Sequence, residues 1–278
     1  MLVATALALG AAVLHAGWNF VAKRAEGDRF VVLWAQFAAG GAIALVLLLV
    51  HAALTGMPEQ GFVWAAASGA VHLPYVWLLA LAYTVGDFSV SYPIARGGGA
   101  ALAAIGGVIL LSDHLTGWDA GGIAIVVVGL VVLAWHSSGP EVALALLVAV
   151  TIGCYTVIDA HGARTTGSIA YVLATFVATA ITTTSFGLAS GRRHAMATAA
   201  RTTWKRSALT GSASVLTYGM VLVAVQRAPV GYVTALRESS VVLAALAGWK
   251  FLDEGSHRRR ITAACVVLLG LLVLVLGR

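Results

Sequence analysis

Charged side chains are scarce in this sequence. Lys and Arg number 17 and Asp and Glu 11, so charged residues make up only 10% of the 278 positions, while 60% are hydrophobic. A water-soluble domain is about one quarter charged, because charges are needed to cover its surface. The shortage excludes an ordinary soluble domain and predicts a protein for which the lipid bilayer is the main solvent.

Cysteines and catalytic motifs are equally sparse. The two cysteines, Cys154 and Cys265, lie inside apolar runs, and their spacing indicates neither a disulfide framework nor a metal site. No G-x-S-x-G, H-E-x-x-H or Walker loop is present. The sequence therefore predicts a protein that is not an enzyme and needs no cofactor or metal. The chain also has no room for the nucleotide-binding domain of an ATP-driven pump.

Long apolar runs dominate what is present. They lack the alternation of barrel strands and so predict helices, each crossing a membrane with about 20 residues. The net charge of +6 comes largely from basic residues between these runs, where they orient a membrane protein rather than bind nucleic acid. We expect a multi-pass protein of the bacterial inner membrane, surrounded by membrane lipids. Ten spans are predicted, at residues 2–22, 30–51, 62–83, 88–111, 119–136, 141–160, 168–190, 207–226, 229–251 and 261–276.

The chain contains an internal repeat. An offset of 141 residues places Arg96 on Arg237 and gives each copy five spans. A repeat with an odd number of spans ends on the opposite side of the membrane, so the second copy must be inverted. The predicted fold class is an all-α membrane protein with ten transmembrane helices, built as two inverted five-helix repeats at residues 1–137 and 138–278.

Basic residues are distributed unevenly among the predicted loops. The loops after odd-numbered spans carry twelve Lys and Arg, when Lys250 at the end of span 9 is counted with the loop that follows it, against three in the even-numbered loops and the C-terminus. The loop 52–61 has none, whereas its counterpart in the second copy, 191–206, has five. Equivalent loops of two oppositely oriented copies are expected to differ in this way. The positive-inside rule then places both termini outside the cytoplasm.

Several segments together resemble one known family. The chain resembles the drug/metabolite transporter superfamily, in its EamA-type branch, over essentially its whole length. One departure is Asp113, where the family pattern usually has Glu. The segments that carry the resemblance are His15–Lys23, Ser91–Gly98 and Leu111–Asp113, with second-half echoes at Ala235–Ser239 and Leu252–Glu254.

The resemblance implies two EamA domains around a central cavity. We therefore expect a secondary transporter that exports a small metabolite, an amino acid or a drug-like compound. Two alternatives stay open: a lipid-carrier flippase of the same superfamily, and a membrane-embedded lipid-modifying enzyme, which would need a polar catalytic cluster at one interface. Because the two repeats are fused, a monomer can suffice. The resemblance also implies cytoplasmic termini, the reverse of the charge count.

Two arginines at repeat-equivalent positions are the leading site candidates. Arg96 and Arg237 lie inside spans, where an ionised side chain costs at least about 2.5 kcal/mol on insertion scales. Together they could form a forked donor site for a carboxylate or phosphate on a small-molecule substrate. Glu238 is the only acid deep in the ninth span, which makes it the candidate for proton coupling. The alternative is that Glu238 forms a purely structural ion pair with Arg96.

Span 1 and the aromatic residues supply further candidates. His15 and Asn19 share one face of span 1, and His15 could relay protons. The alternative for His15 is a packing role. Several aromatic side chains could line an apolar cavity, although packing or interface anchoring would also explain them. The aromatic candidates are Trp18, Tyr92, Tyr155 and Tyr218.

A hinge is predicted beside Arg96. Pro93 removes a helix hydrogen bond, and Gly97, Gly98 and Gly99 loosen the following turn. A softened or broken helix at this depth is where a carrier would bind and rock. Close helix packing at the glycines is the alternative.

The charge count yields a direct test of orientation. A reporter fused after Arg278 should give a periplasmic signal, because most loop Lys and Arg follow odd-numbered spans. Paired alkaline phosphatase and green fluorescent protein fusions would measure this. A cytoplasmic signal would contradict the charge count and favour the orientation that the family resemblance implies.

Overall fold

The fold is entirely helical in the part of the chain that the structure describes. This computed structural model describes residues 1–56, 61–114, 116–134, 139–252 and 257–276, and the prediction of an all-α membrane protein is confirmed. The helices are α1 (Leu2–Arg24), α2 (Arg29–Thr55), α3 (Phe62–Val85), α4 (Phe88–Leu111), α5 (Gly117–Ala134), α6 (Gly139–Thr166), α7 (Ser168–Ala189), α8 (Arg193–Thr202), α9 (Trp204–Val225), α10 (Val230–Arg237), α11 (Ser240–Leu252) and α12 (His257–Leu276).

Seven of the described helices are long and apolar enough, by length and composition, to cross a membrane. They are α1, α2, α3, α4, α6, α7 and α9, and shorter apolar segments lie in α5 and α12. Helices are expected here because each backbone N–H and C=O must find a partner within the chain when no water is present.

Local polar groups fix where several helices begin. Asp28 caps α2, since its carboxylate accepts hydrogen bonds from the backbone N–H groups of Phe30 and Val31. Thr116 and Asp119 form a reciprocal capping box at the start of α5, in which each side chain accepts the other's backbone N–H.

Two details differ from the sequence prediction. The predicted span 229–251 is divided into α10 and α11 by a tight turn at Glu238 and Ser239, where N–H groups bond to carbonyls three residues earlier. The predicted loop 191–206 contains the short helix α8. Neither Pro nor Gly marks the break at Glu238, so no local pattern predicts it.

Helices of the first half pack mainly on helices of the second. α2 lies against α7 and α9, and α3 lies against α6 and α7. α5 lies against α12, α1 lies against α9, α10 and α11, and α4 lies against α6, α10 and α11. The core is therefore a set of interfaces between the halves rather than two separate bundles.

Polar residues at helix ends hold these interfaces in register. Lys23 donates to the carbonyls of Tyr83 and Gly86 at 2.9 and 2.8 Å, which caps the end of α3. Asp113, after α4, accepts hydrogen bonds from Arg164 of α6 and from the backbone N–H of Val230 at the start of α10. Lys23 and Asp113 thus act at helix ends, while Glu254, the repeat counterpart of Asp113, lies outside the described residues.

One glycine permits an especially close approach between helices. A Cβ built on Gly211 of α9 would lie 2.7 Å from the backbone nitrogen of Gly40 and 2.8 Å from the backbone oxygen of Gln36, both in α2. Backbone atoms cannot move aside as a side-chain tip can. Gly219 in the same helix has no atom within 4 Å of such a Cβ, so the two positions form a matched pair.

Replacing Gly211 by Ala should destabilise the protein by about 1–3 kcal/mol, because α2 and α9 would be forced apart. Gly219→Ala should be neutral or slightly stabilising, since Ala is the better helix former. Thermal unfolding of the purified variants in one detergent measures both effects. Equal midpoints for the two variants would show that the α2–α9 contact is not closely packed.

Candidate functional site

A cavity lies at the centre of the helical body. Its walls come from α1, α2, α3, α6, α7, α9 and α10, so both halves contribute. It is narrow, because only about 30 Å³ is open to the centre of a water molecule, which is room for one or two waters. The lining residues are His15, Trp18, Phe37, His72, Tyr75, Tyr155, Thr175, Phe176, Thr179, Ser214, Thr217, Tyr218 and Arg237.

Arg237 supplies the permanent positive charge of this cavity wall. The side chain comes from the last residue of α10 and is only 2% exposed. Its Nε is buried without a hydrogen-bond partner among the described residues. A guanidinium N–H left unpaired in a buried site is costly, and an acceptor entering the cavity would satisfy it.

Arg96 is placed differently from its repeat counterpart. Its Nη2 lies 2.5 Å from Oε1 of Glu238, and both side chains are almost fully buried. Arg96 is not among the cavity-lining residues, and its Nε and Nη1 are buried without partners in the described part of the chain, as is Oε2 of Glu238. The structure thus brings Glu238 to Arg96 and leaves Arg237 in the cavity wall.

The adjacent residues Arg237 and Glu238 point to different neighbours, as consecutive residues of a helical turn do. Tyr92 reinforces the contact between the halves, because its hydroxyl donates to the Ser240 hydroxyl oxygen at 3.0 Å and so joins α4 to α11. Tyr92 is buried but does not line the cavity.

Of the candidate residues in span 1, two line the cavity and one lies outside it. His15 and Trp18 line the cavity, with ring centroids 4.7 Å apart in an edge-to-face arrangement. Nε2 of His15 and Nε1 of Trp18 are buried without partners among the described residues. Asn19 lies away from the cavity, donating to the backbone carbonyl of His15 and accepting from the Tyr83 hydroxyl at 2.7 Å.

The aromatic wall includes a residue that the sequence analysis did not select. His72 of α3 stacks on Tyr155 with ring centroids 4.2 Å apart, and its Nδ1 lies 3.1 Å from Oγ of Ser68. Tyr155 and Tyr218, both expected near the cavity, lie in its wall beside His72. Aromatic rings and hydroxyls therefore form most of the surface that a ligand would meet.

Asp159 is a second residue that sequence reasoning missed. It is fully buried in α6, where it accepts hydrogen bonds from the hydroxyls of Tyr171 and Tyr218. The predicted span 141–160 contained Asp159 near its end, and α6 continues to Thr166. The internal repeat could have pointed to Asp159, because an offset of 136 residues aligns it with Lys23, a charged residue at the end of span 1.

The helix α4 runs without interruption through Pro93 and the three glycines. A Cβ at Gly97 would press on Leu130 of α5, and one at Gly99 on Ile152 of α6. The Gly98 position is similarly close to α6. The glycines thus permit close packing, and the helix break that was expected beside Arg96 occurs in the second half instead, after Arg237. A hinge within α4 stays a prediction.

No cluster of three or more His, Cys, Asp or Glu that could hold a metal ion is found within the described ranges. The polar groups of the cavity are one guanidinium, two imidazoles and several hydroxyls. This arrangement can bind an anion and hold flat apolar groups.

Comparisons with known proteins agree with this architecture. Twenty-eight chains of solved structures match, and one crystal structure superposes with a TM-score of 0.69 at 18% identity, covering 99% of this chain and 99% of that chain. Identity this low shows a shared fold alone. No curated protein matches the sequence. Residues 139–276, the second half, match the model of the EamA-like transporter family. The chain therefore belongs to the EamA-like transporter family, whose members are membrane transporters.

Proposed function

We propose that the protein is a secondary transporter that carries a small organic anion through the central cavity. The observation that carries this proposal is Arg237, a buried guanidinium with an unpaired Nε in a wall otherwise formed by aromatic rings, imidazoles and hydroxyls. A metabolite, amino acid or drug-like compound with a carboxylate matches the chemistry of this wall, and the cavity, which has room for one or two waters here, must widen to admit it. Export across the bacterial inner membrane is the direction that we propose.

The pattern of helix contacts supports two related halves. In the predicted order of spans, α1, α2 and α3 of the first half correspond to α6, α7 and α9 of the second. Exchanging the two halves therefore turns the α3–α6 contact into the α9–α1 contact, and the α3–α7 contact into the α9–α2 contact. All four of these contacts are present. The α2–α7 and α5–α12 contacts map onto themselves. We therefore propose ten membrane crossings, with α10 and α11 counted as one, in inverted repeats at residues 1–137 and 138–278.

The two arginines take different roles in this proposal. Arg96 is held by Glu238 in a buried pair that joins α4 to the turn after α10. Its charge is neutralised within the protein, so it positions helices. Arg237 is the anchor for the substrate anion, since its side chain lines a cavity that both halves form and its buried Nε has no partner among the described residues.

A lipid-carrier flippase is the second candidate, because of a separate groove on the outside of the helical body. The groove lies between α1, α2, α7 and α9 and is lined almost wholly by apolar side chains, including Leu47, Leu54 and Leu216. It adjoins a polar pocket that contains Gln226 and Arg227. The groove shares no lining residue with the central cavity, so the two routes can be tested separately.

Substituting Arg237 should weaken substrate binding without unfolding the protein. Loss of a hydrogen bond to a charged group costs about 1.5–3 kcal/mol, or roughly a 10–100-fold weaker apparent affinity for Arg237→Gln. Arg237→Lys should restore part of it, because Lys keeps the charge but not the planar fork. The probe is the metabolite that accumulates in a deletion strain, measured as efflux after each variant is expressed.

Arg227→Gln is the matched control, since this exposed arginine lies in the outer pocket. It should leave efflux unchanged. Normal efflux by Arg237→Gln together with loss in Arg227→Gln would contradict the cavity route and favour the lipid route.

Removing one partner of the buried Arg96–Glu238 pair should lower the free energy of unfolding, and replacing both partners should restore most of it. Arg96→Gln leaves Glu238 as an uncompensated buried carboxylate, for which a loss of about 3–5 kcal/mol is expected. Arg96→Gln combined with Glu238→Gln should recover most of it. Thermal unfolding of the single and double variants measures this, and additive effects of the two substitutions would contradict the pairing.

A further inference from the structure

Asp159 forms a second buried ionisable site, separate from the Arg96–Glu238 pair. Its carboxylate is fully buried and accepts hydrogen bonds from the Tyr171 hydroxyl at 2.9 Å and from the Tyr218 hydroxyl. Ser68 of α3 is a further polar neighbour. Two helices, α7 and α9, thus direct hydroxyl groups at one carboxylate of α6.

Asp159 has no permanent cation beside it in the described part of the chain. The titratable groups near it are His72 of α3, Tyr171 of α7 and Tyr218 of α9. Arg164, five residues further along α6, is engaged by Asp113 at 2.9 Å. Hydroxyl groups can donate to a carboxylate or accept from a carboxyl O–H. The site can therefore hold Asp159 in either protonation state.

The Asp159 site is connected to the central cavity through two of its wall residues. Tyr218 lines the cavity, bonds to Asp159 and lies within electrostatic reach of Arg237. His72 also lines the cavity and lies near Asp159, and its Nδ1 lies 2.9 Å from the Ser68 carbonyl oxygen and 3.1 Å from the Ser68 hydroxyl. Tyr218 thus provides one hydrogen-bonded step between the cavity and the carboxylate.

We infer that Asp159 is the proton-binding site that couples transport to the proton gradient, an inference that rests on the proposed transport function. One proton from cavity water adds to a carboxylate oxygen of Asp159 and gives a neutral carboxyl. The same proton leaves to water when the cavity opens to the other side, and no other bond changes. This assigns to α6 the coupling role that the sequence suggested for Glu238 or His15.

Infrared difference spectroscopy on the purified, membrane-reconstituted protein tests proton binding without any substrate. The C=O band of a protonated carboxyl should appear and disappear reversibly as the pH is changed across a range in which solvent-exposed carboxyls have already lost their protons. Asp159→Asn should abolish this band, whereas Asp159→Glu should keep a titrating band. Glu238→Gln is the matched control and should leave the band in place.

A band that persists in Asp159→Asn, or a wild-type protein with no titrating band, would overturn the inference. A band that is lost in Glu238→Gln instead would assign proton binding to the other buried acid. Size-exclusion profiles of all variants establish that the comparison is made between folded proteins.

A transport measurement then separates coupling from transport itself. In proteoliposomes, the labelled metabolite that the deletion strain accumulates should be driven by a pH gradient in the wild type. Asp159→Asn should reduce gradient-driven accumulation to the level without a gradient, while exchange of labelled for unlabelled metabolite persists. Gradient-driven accumulation by Asp159→Asn would refute the coupling role. Absence of all transport by the wild type would instead refute the proposed function. Proton binding at Asp159, which the infrared measurement tests separately, would be unaffected by that result.

Discussion

The buried pair of Arg96 and Glu238 is the interaction on which the arrangement of the two halves depends. In a medium without water, a guanidinium needs an acceptor, and the second half supplies it at the turn between α10 and α11. Neither α4 nor α10 could move far from the other without exposing an unpaired charge. The pair therefore fixes the position of Arg237, the preceding residue, and so the polarity of the cavity wall.

This fixed centre divides the polar groups of the interior into two kinds. Asn19, Tyr92 and Arg96 bond to side chains of other segments and so join them, although Nε and Nη1 of Arg96 have no partner among the described residues. His15, Trp18 and Arg237 line the cavity, and each has a buried nitrogen without a partner in the described part of the chain. Unpaired buried donors are uncommon in folded proteins and call for a specific explanation. A site that must bind and release a polar ligand provides one.

Much of the helical layout could be predicted because hydropathy and length act directly on membrane spans. The prediction of a span at 88–111 coincides with α4, and the expectation that Glu238 would face Arg96 followed from the cost of a lone charge. The break after Arg237 could not be predicted, since it has no Pro or Gly signal. Asp159 was missed because its hydrogen-bond partners come from two other helices, which hydropathy along one segment cannot reveal.

The narrowness of the cavity has a consequence for the membrane as an energy store. With room for only one or two waters, this cavity by itself holds too little water for a continuous aqueous path. A carrier closed in this way does not dissipate the membrane voltage. If substrate crosses through this cavity, as proposed, the corresponding cost is speed, since every passage requires helices to move, and such collective motions take microseconds to milliseconds. Flux through such a carrier saturates with ligand concentration, as it does not in an open pore.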